Sequence, residues 1–261
     1  MSHPGGGTLW LMPNALDFGV AGAMPDLQQA LPLGVIEIAA RTGHWVVENA
    51  RSARHFLKRV DAVVALSQSL QSLSIVELPR PRKGSNAPPP GLADLLEPAR
   101  HGHDLALLSE AGLPAVADPG AALVAAAHEE GIRVVALPGP SSILLALAAS
   151  GLNGQSFAFV GYLPVDAAER ALRIRELEAL SRRARQTQLM IETPYRNPVL
   201  LDALLAQLQP ATKLSVSCGI TLASGWNRSD TVAGWRRKPQ PQPLPAGVPA
   251  DVPAVFALLA G

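Results

Sequence analysis

The passage from Asp104 to Gly151 constrains this chain most. It reads as strand, small-residue turn (SEAGLPAVADPG, Ser109 to Gly120), helix, strand, second turn (PGPSS, Pro138 to Ser142) and helix. In both cases a short apolar run, Leu105 to Leu108 or Val134 to Leu137, gives way to a helix-like stretch across a turn rich in Gly, Ala, Ser and Pro. Parallel α/β folds place their ligands at such strand ends, so a ligand lying across two successive strand ends is the first expectation.

The rest of the chain repeats the alternation. Strands are expected at Thr8 to Met12, His44 to Val47 and Ser74 to Leu78, with helices from Ala50 to about Val60 and from Gly91 to about Arg100. Beyond Gly151 come a strand at Phe157 to Leu163, an Arg-rich helix from Ala167 to about Arg185 and a strand at Gln188 to Glu192. A helix from Pro198 to Leu208 and a strand at Lys213 to Cys218 follow. Two more strands are expected at Thr231 to Trp235 and Ala254 to Leu259. This order predicts two α/β domains, residues 8–138 with a mostly parallel sheet and residues 139–261 with a mixed one.

Composition bounds the function class. At 261 residues, 48% hydrophobic, the chain is long enough for one large or two modest cores, and with 11 aromatic residues those cores must be aliphatic. A net charge of +1 neither demands nor excludes a polyanion, so local clusters must decide. The single cysteine, Cys218, excludes an intramolecular disulfide and a cysteine-rich zinc site. HGHD (His101 to Asp104) lacks a companion ligand cluster, so no metal is expected. MSHPGGG does not read as a leader, and the longest apolar run, Ile143 to Ala149, is far short of a membrane span; a cytoplasmic protein without membrane association is expected.

Small residues at Ala111, Gly112, Gly120 and Gly139 allow a backbone to approach a ligand closely, and helix starts at Pro119 and Pro140 would present free N–H groups. Neither turn is a Walker A loop and no GxGxxG occurs, which leaves P-loop NTPases and ordinary dinucleotide-binding folds poorly supported. Basic residues cluster at Arg51 and Arg54, at Arg80, Arg82 and Lys83, along Arg170 to Arg185, and at Arg236 to Lys238. Such clusters can meet phosphates or carboxylates, although Ala167, Ala171, Ile174 and Leu177 would equally anchor a solvated Arg-rich helix.

TLWLMPNALD from Thr8, VVENARSARHFL from Val46, LALLSEAGLPAVADPG from Leu105, GIRVVALPGPSSILLALAASGL from Gly131, FAFVGYLP from Phe157 and IETPYR from Ile191 form an ordered set. Together they resemble the tetrapyrrole methylase superfamily of S-adenosylmethionine (SAM) methyltransferases, and within it the ribosomal RNA small subunit methyltransferase I group, which methylates a ribose 2′-hydroxyl. The resemblance implies SAM in a cleft between two α/β domains, a homodimer, and RNA of the small ribosomal subunit as substrate. The alternatives are a tetrapyrrole or other small acceptor, or SAM binding without turnover. It also implies SAM contacts at Pro13, Ser109, Ala111, Gly112, Leu113, Val116, Ser141, Ser142, Glu192, Gly219 and Ala254. A ribose hydroxyl needs a general base, for which Glu110 and Glu48 are the leading candidates, ahead of His101 and His103. Arg51, Arg54, Arg82 and Lys83 are the expected substrate contacts. The chain departs from the family in its first turn, PNALD, in the pair Glu48–Asn49 where two acids are usual, and at Ser85–Asn86 in place of a His–Asn pair.

Overall fold

A computed structural model describes residues 6–17, 26–79, 90–237 and 252–261. The chain divides into two compact units, with the change at Pro140 and Ser141. The first contains β1 (Thr8–Met12), α1 (Leu33–Arg41), β2 (His44–Val47), α2 (Ala50–Asp61), β3 (Ser74–Glu77), α3 (Glu97–Arg100), β4 (Leu105–Leu108), α4 (Ala121–Glu129) and β5 (Arg133–Ala136). Its five strands are all parallel, in the order β3-β2-β4-β1-β5.

Strand alternation sorts the apolar residues onto two faces. Trp45, Val47, Ala106 and Leu108 pack with Val35, Ile36 and Ala39 of α1 and with Phe56, Leu57 and Val60 of α2. Their neighbours Val46, Leu105 and Leu107 pack instead with Leu96 and with Leu123 and Ala127 of α4. The sheet is therefore covered on both faces, which explains the near-continuous apolar character of β4.

The second unit contains α5 (Ser142–Ser150), β6 (Phe157–Phe159), α6 (Ala167–Ala184), β7 (Thr187–Glu192), α7 (Asn197–Gln207), β8 (Lys213–Cys218), β9 (Trp226–Thr231), α8 (Val232–Arg237) and β10 (Ala254–Leu259). The sheet order is β6-β7-β10-β8-β9, with β6 and β7 parallel and the remaining pairs antiparallel. Two α/β units, one with a parallel and one with a mixed sheet, match the expected fold class.

Several local expectations are corrected. The expected strand Thr231 to Trp235 is instead the end of β9 and the start of α8. There the Thr231 hydroxyl accepts the Gly234 amide at 3.0 Å, Val232 and Trp235 share a buried face, and the Trp235 indole donates to the Leu214 carbonyl at 2.9 Å. The helices after the two turns begin at Ala121 and Ser142, two residues beyond Pro119 and Pro140. The helix expected from Gly91 is a 3-10 segment, Ala93–Leu96, followed by the short α3, and the strand expected to reach Leu163 ends at Phe159. On α6 the expected anchors Ile174 and Leu177 are buried, whereas Ala167 is exposed and Ala171 half-buried; the rest of the buried face is Arg170, Glu178 and Ser181. Arg170 is not a solvated cation: its guanidinium donates to the Val165 carbonyl at 2.7 Å. Glu178 accepts the Gln209 amide at 2.8 Å.

Candidate active site

β1 and β4 are neighbours in the first sheet, yet the helices that follow them lie on opposite faces: α1 on one and α4 on the other. The carboxyl ends of β1 and β4 are thus the switch point of the sheet, the kind of crevice where open α/β sheets bind ligands. The two loops that border it are Pro13–Asn14 and Ser109 to Gly120.

These loops are tied together. Asn14 and Gly112 exchange backbone hydrogen bonds at 2.8 and 3.1 Å, and the Asn14 carboxamide donates to the carbonyls of Glu110 (3.0 Å) and Ser109 (3.3 Å). Gly112 is buried at φ +69°, a left-handed conformation that suits glycine. Gly139, beyond β5, approaches Pro13 so closely that a Cβ there would overlap the proline ring. Ala115 and Ala117 also hold positive φ values of 64° and 65°; each costs on the order of 1 kcal/mol and must be imposed by the surrounding loop. The divergent first turn is therefore built in: Asn14 cross-links the loops, and Asp17 is anchored to Arg59 of α2 by a 2.9 Å ion pair, both side chains largely buried.

Three carboxylates gather beside this crevice. The Glu48 backbone amide donates to the Leu108 carbonyl at 3.1 Å, which fixes the residue after β2 against the end of β4. Glu48 Oε2 then accepts the Glu110 amide at 3.2 Å. Asp118, in the same turn, has its carboxyl pushed up to about 7 by burial and by the negative charges of Glu48 and Glu110. The structure thus brings together Glu48 and Glu110, which the sequence singled out, and adds Asp118, which it did not. Its only signal was position within ADPG, where an acid followed by Pro-Gly reads as an ordinary turn residue. Asn49, the departure from a second acid, caps α2: its Oδ1 accepts the amides of Arg51 (2.9 Å) and Ser52 (3.2 Å).

The remaining first-unit residues are distributed as follows. Pro13 and Ser109 are buried, Ala111 and Leu113 are half-buried, and Val116 is exposed. Arg51 and Arg54 are exposed on α2; Arg82 and Lys83, with Arg80, Ser85 and Asn86, lie outside the described residues, as does Lys238. His101 and His103 are corrected as base candidates. His103 precedes β4 and its ring lies 5.4 Å from that of His44, the first residue of β2, so it belongs to the opposite end of the sheet. His101 is exposed, with Nδ1 3.0 Å from the Glu97 carbonyl. Among the described residues no group of three or more His, Cys, Asp or Glu has the geometry to hold a metal ion, and no helix is long and apolar enough to cross a membrane.

In the second unit, strand register joins three of the singled-out residues from separate stretches. Ala254, at the start of β10, faces Glu192 at the end of β7 and Cys218 at the end of β8, which is followed by buried Gly219 at φ +60°. Glu192 is not an unengaged charge: Oε2 pairs with the Arg196 guanidinium at 2.9 Å, and Oε1 accepts the Thr193 amide at 2.7 Å. Cys218 is buried, and burial pushes its thiol up to about 11. Ser141 is buried and stands in extended conformation just before α5, without a side-chain capping hydrogen bond; Ser142 opens that helix.

Residues 50–232 match the family model for tetrapyrrole (corrin/porphyrin) methylases. The chain belongs to this family. Methyltransferases of the family use SAM. The ribosomal RNA small subunit methyltransferase I of Mesorhizobium japonicum is 39% identical over 127 residues, 49% of this chain and 42% of that protein. Its counterpart in Escherichia coli O157:H7 is 40% identical over 110 residues, 42% of this chain and 36% of that protein. The matched stretch spans less than half the length of either relative. Among solved structures, a uroporphyrin-III-C-methyltransferase from Thermus thermophilus superposes with TM-score 0.50 at 19% identity, covering 97% of this chain and 92% of that one. The methyltransferase CobJ does so with TM-score 0.52 at 16% identity, covering 98% and 95%. At such identities these structures establish the shared fold alone. The residues at this switch point are of a kind that suits SAM: Gly112 and Pro13 are buried, and Glu48, Glu110 and Asp118 supply carboxyl groups nearby.

Proposed function

We propose that this chain is a SAM-dependent methyltransferase that modifies a ribose 2′-hydroxyl of small-subunit ribosomal RNA, as a cytoplasmic homodimer. The observation that carries the reading is the Glu48–Glu110–Asp118 group beside the loop that holds Gly112, in a chain whose named relatives act on ribosomal RNA. Bound SAM supplies a methyl group already activated by its sulfonium, so the protein's own tasks are in-line positioning and management of one proton.

Pro13, Ser109, Ala111, Gly112, Leu113 and Val116 of the first unit, and Ser141, Ser142, Glu192, Gly219 and Ala254 of the second, are the proposed SAM contacts. Arg51, Arg54, Arg82 and Lys83 take RNA phosphates. Asp118 joins Glu110 and Glu48 as the proton acceptor: a carboxylate near 7 is matched to accept a hydroxyl proton at neutral pH as the oxygen gains its methyl group. The test is transfer from tritiated SAM to small ribosomal subunits lacking the modification, run beside a porphyrinogen. Label in RNA is expected. Label in the porphyrinogen alone would overturn the acceptor, and binding of SAM without label in either would overturn the activity.

A further inference from the structure

α2 leaves the carboxylate group in a defined direction. Asn49, its cap, follows Glu48 directly, and the helix then carries Arg51, Arg54, His55 and Lys58 on its exposed side, opposite buried Ala53, Phe56, Leu57 and Val60. Steps of three and four residues put these groups on one face. No acidic side chain occurs between Arg51 and Lys58; Asp61 is the first, at the end of the helix. Seven residues at a rise of about 1.5 Å place Lys58 about 10 Å along the axis from Arg51.

This basic face ends at a cavity of about 270 Å³ lined by Lys58, Asp61, Leu66, Gln68, Ser69 and Leu70. Its walls are held from both sides. Asp61 Oδ1 accepts the Leu66 amide at 2.9 Å, the Ser67 amide donates to the Ala40 carbonyl at 2.9 Å, and the Ser69 and Ser72 hydroxyls are 2.7 Å apart. Leu66 and Leu70 offer apolar surface to a ring, whereas the Gln68 carboxamide and Ser69 hydroxyl both donate and accept hydrogen bonds.

Resting on the RNA-methyltransferase reading above, we infer that α2 is a track for single-stranded RNA, with phosphates along Arg51, Arg54 and Lys58 and the base of a flanking nucleotide in the cavity beneath Lys58. A polyanion running along α2 from the carboxylate group meets Arg51, Arg54 and Lys58 in turn, and then a pocket with the mixed apolar and hydrogen-bonding walls that a base needs.

The test uses the full chain and a 12-nucleotide single-stranded RNA carrying 4-thiouridine, with Lys58→Glu, Ser69→Trp and, as a control of equal charge change, Arg133→Glu on exposed β5. Lys58→Glu is expected to weaken RNA binding about tenfold at 0.1 M salt and to lower the log–log salt slope by about one unit, with SAM affinity unchanged. Ser69→Trp should abolish the photo-crosslink to residues 61–72 of the wild type, and Arg133→Glu should leave RNA binding as it is. RNA binding by both cavity variants equal to wild type, with crosslinks elsewhere, would overturn the track while leaving the methyltransferase reading intact. A wild type that binds SAM but not this RNA would overturn the track, while label transfer to small ribosomal subunits decides the methyltransferase reading separately.

Discussion

Glu48 Oε2 accepts the backbone amide of Glu110 at 3.2 Å, joining the residue after β2 to the turn after β4. A carboxylate that satisfies a backbone donor is oriented by it, and here the orientation keeps negative charge beside Asp118. Glu48 orients the turn as well as belonging to the proton-accepting group, and Asp118 is the member whose carboxyl is pushed up to about 7.

The first prediction concerns that titration. Transfer to RNA should rise with pH up to about 7 and level off above it, as Asp118 loses its proton; in Asp118→Asn the rate should fall by about 10²-fold or more and lose this limb. Stability should move the other way. Because the folded state holds a proton that the unfolded chain releases near 3.8, the wild type loses stability as pH rises from about 4 to 7. With Asp118 only half-buried, the loss should be about 1–2 kcal/mol after allowance for solvent screening. Denaturant melts at pH 4 and pH 8 check it: Asp118→Asn should be the more stable protein at pH 8 only.

How far the sequence carried the site depends on what kind of contact makes it. Gly112, Gly139 and Glu110 were legible because close backbone approach and strand-end charge leave local marks. Asp118 was not, since its raised pKa comes first from burial and then from the charges of Glu48 and Glu110, all of them products of the folded chain. The register that sets Ala254 between Glu192 and Cys218 is likewise a product of strand order. Periodicity failed where tertiary contacts override propensity. α1, with Gly34 and β-branched Val35, Ile36 and Ile38, was not anticipated and owes its helix to burial against α2 and the sheet. The sequence of α8 reads as a strand because Thr231, Val232 and Trp235 favour one; the Thr231 cap and buried Trp235 decide otherwise.

Gly112 gives the second prediction. Its φ of +69° and the Leu16 side chain 3.2 Å from an added Cβ leave little space in a loop already fixed by Asn14. Gly112→Trp should weaken SAM binding tenfold or more, about 1.4 kcal/mol. Gly112→Ala, which adds backbone strain but little bulk, should cost less. Calorimetry that finds SAM affinity unchanged in Gly112→Trp would remove the crevice from the binding site.

The Asp17–Arg59 pair provides a third. It ties the turn after β1 to α2, with both side chains largely buried, at 2.9 Å. Arg59→Met should leave a buried carboxylate without its cation and destabilise the first unit by about 3 kcal/mol, whereas the double variant Asp17→Asn with Arg59→Met should recover much of the loss. A double-mutant cycle in urea measures the coupling, and additive single effects would show the pair to be energetically inert.

The last prediction separates charge balance from fold support at Glu192. Its side chain is fully buried and already paired with Arg196, four residues on, while its other oxygen accepts the Thr193 amide. A carboxylate so engaged presents little net charge to a cationic ligand, and its first effect is to pin the loop after β7. Arg196→Met should therefore destabilise the second unit by about 3–5 kcal/mol, because it strands the Glu192 charge. Glu192→Gln, which keeps the Thr193 hydrogen bond, should cost less and change SAM affinity by less than about tenfold. Urea melts together with calorimetric titration of SAM read the two effects separately. A Glu192→Gln protein of full stability that has lost SAM binding by more than about a hundredfold, about 2.7 kcal/mol, would show instead that Glu192 meets the ligand's charge directly.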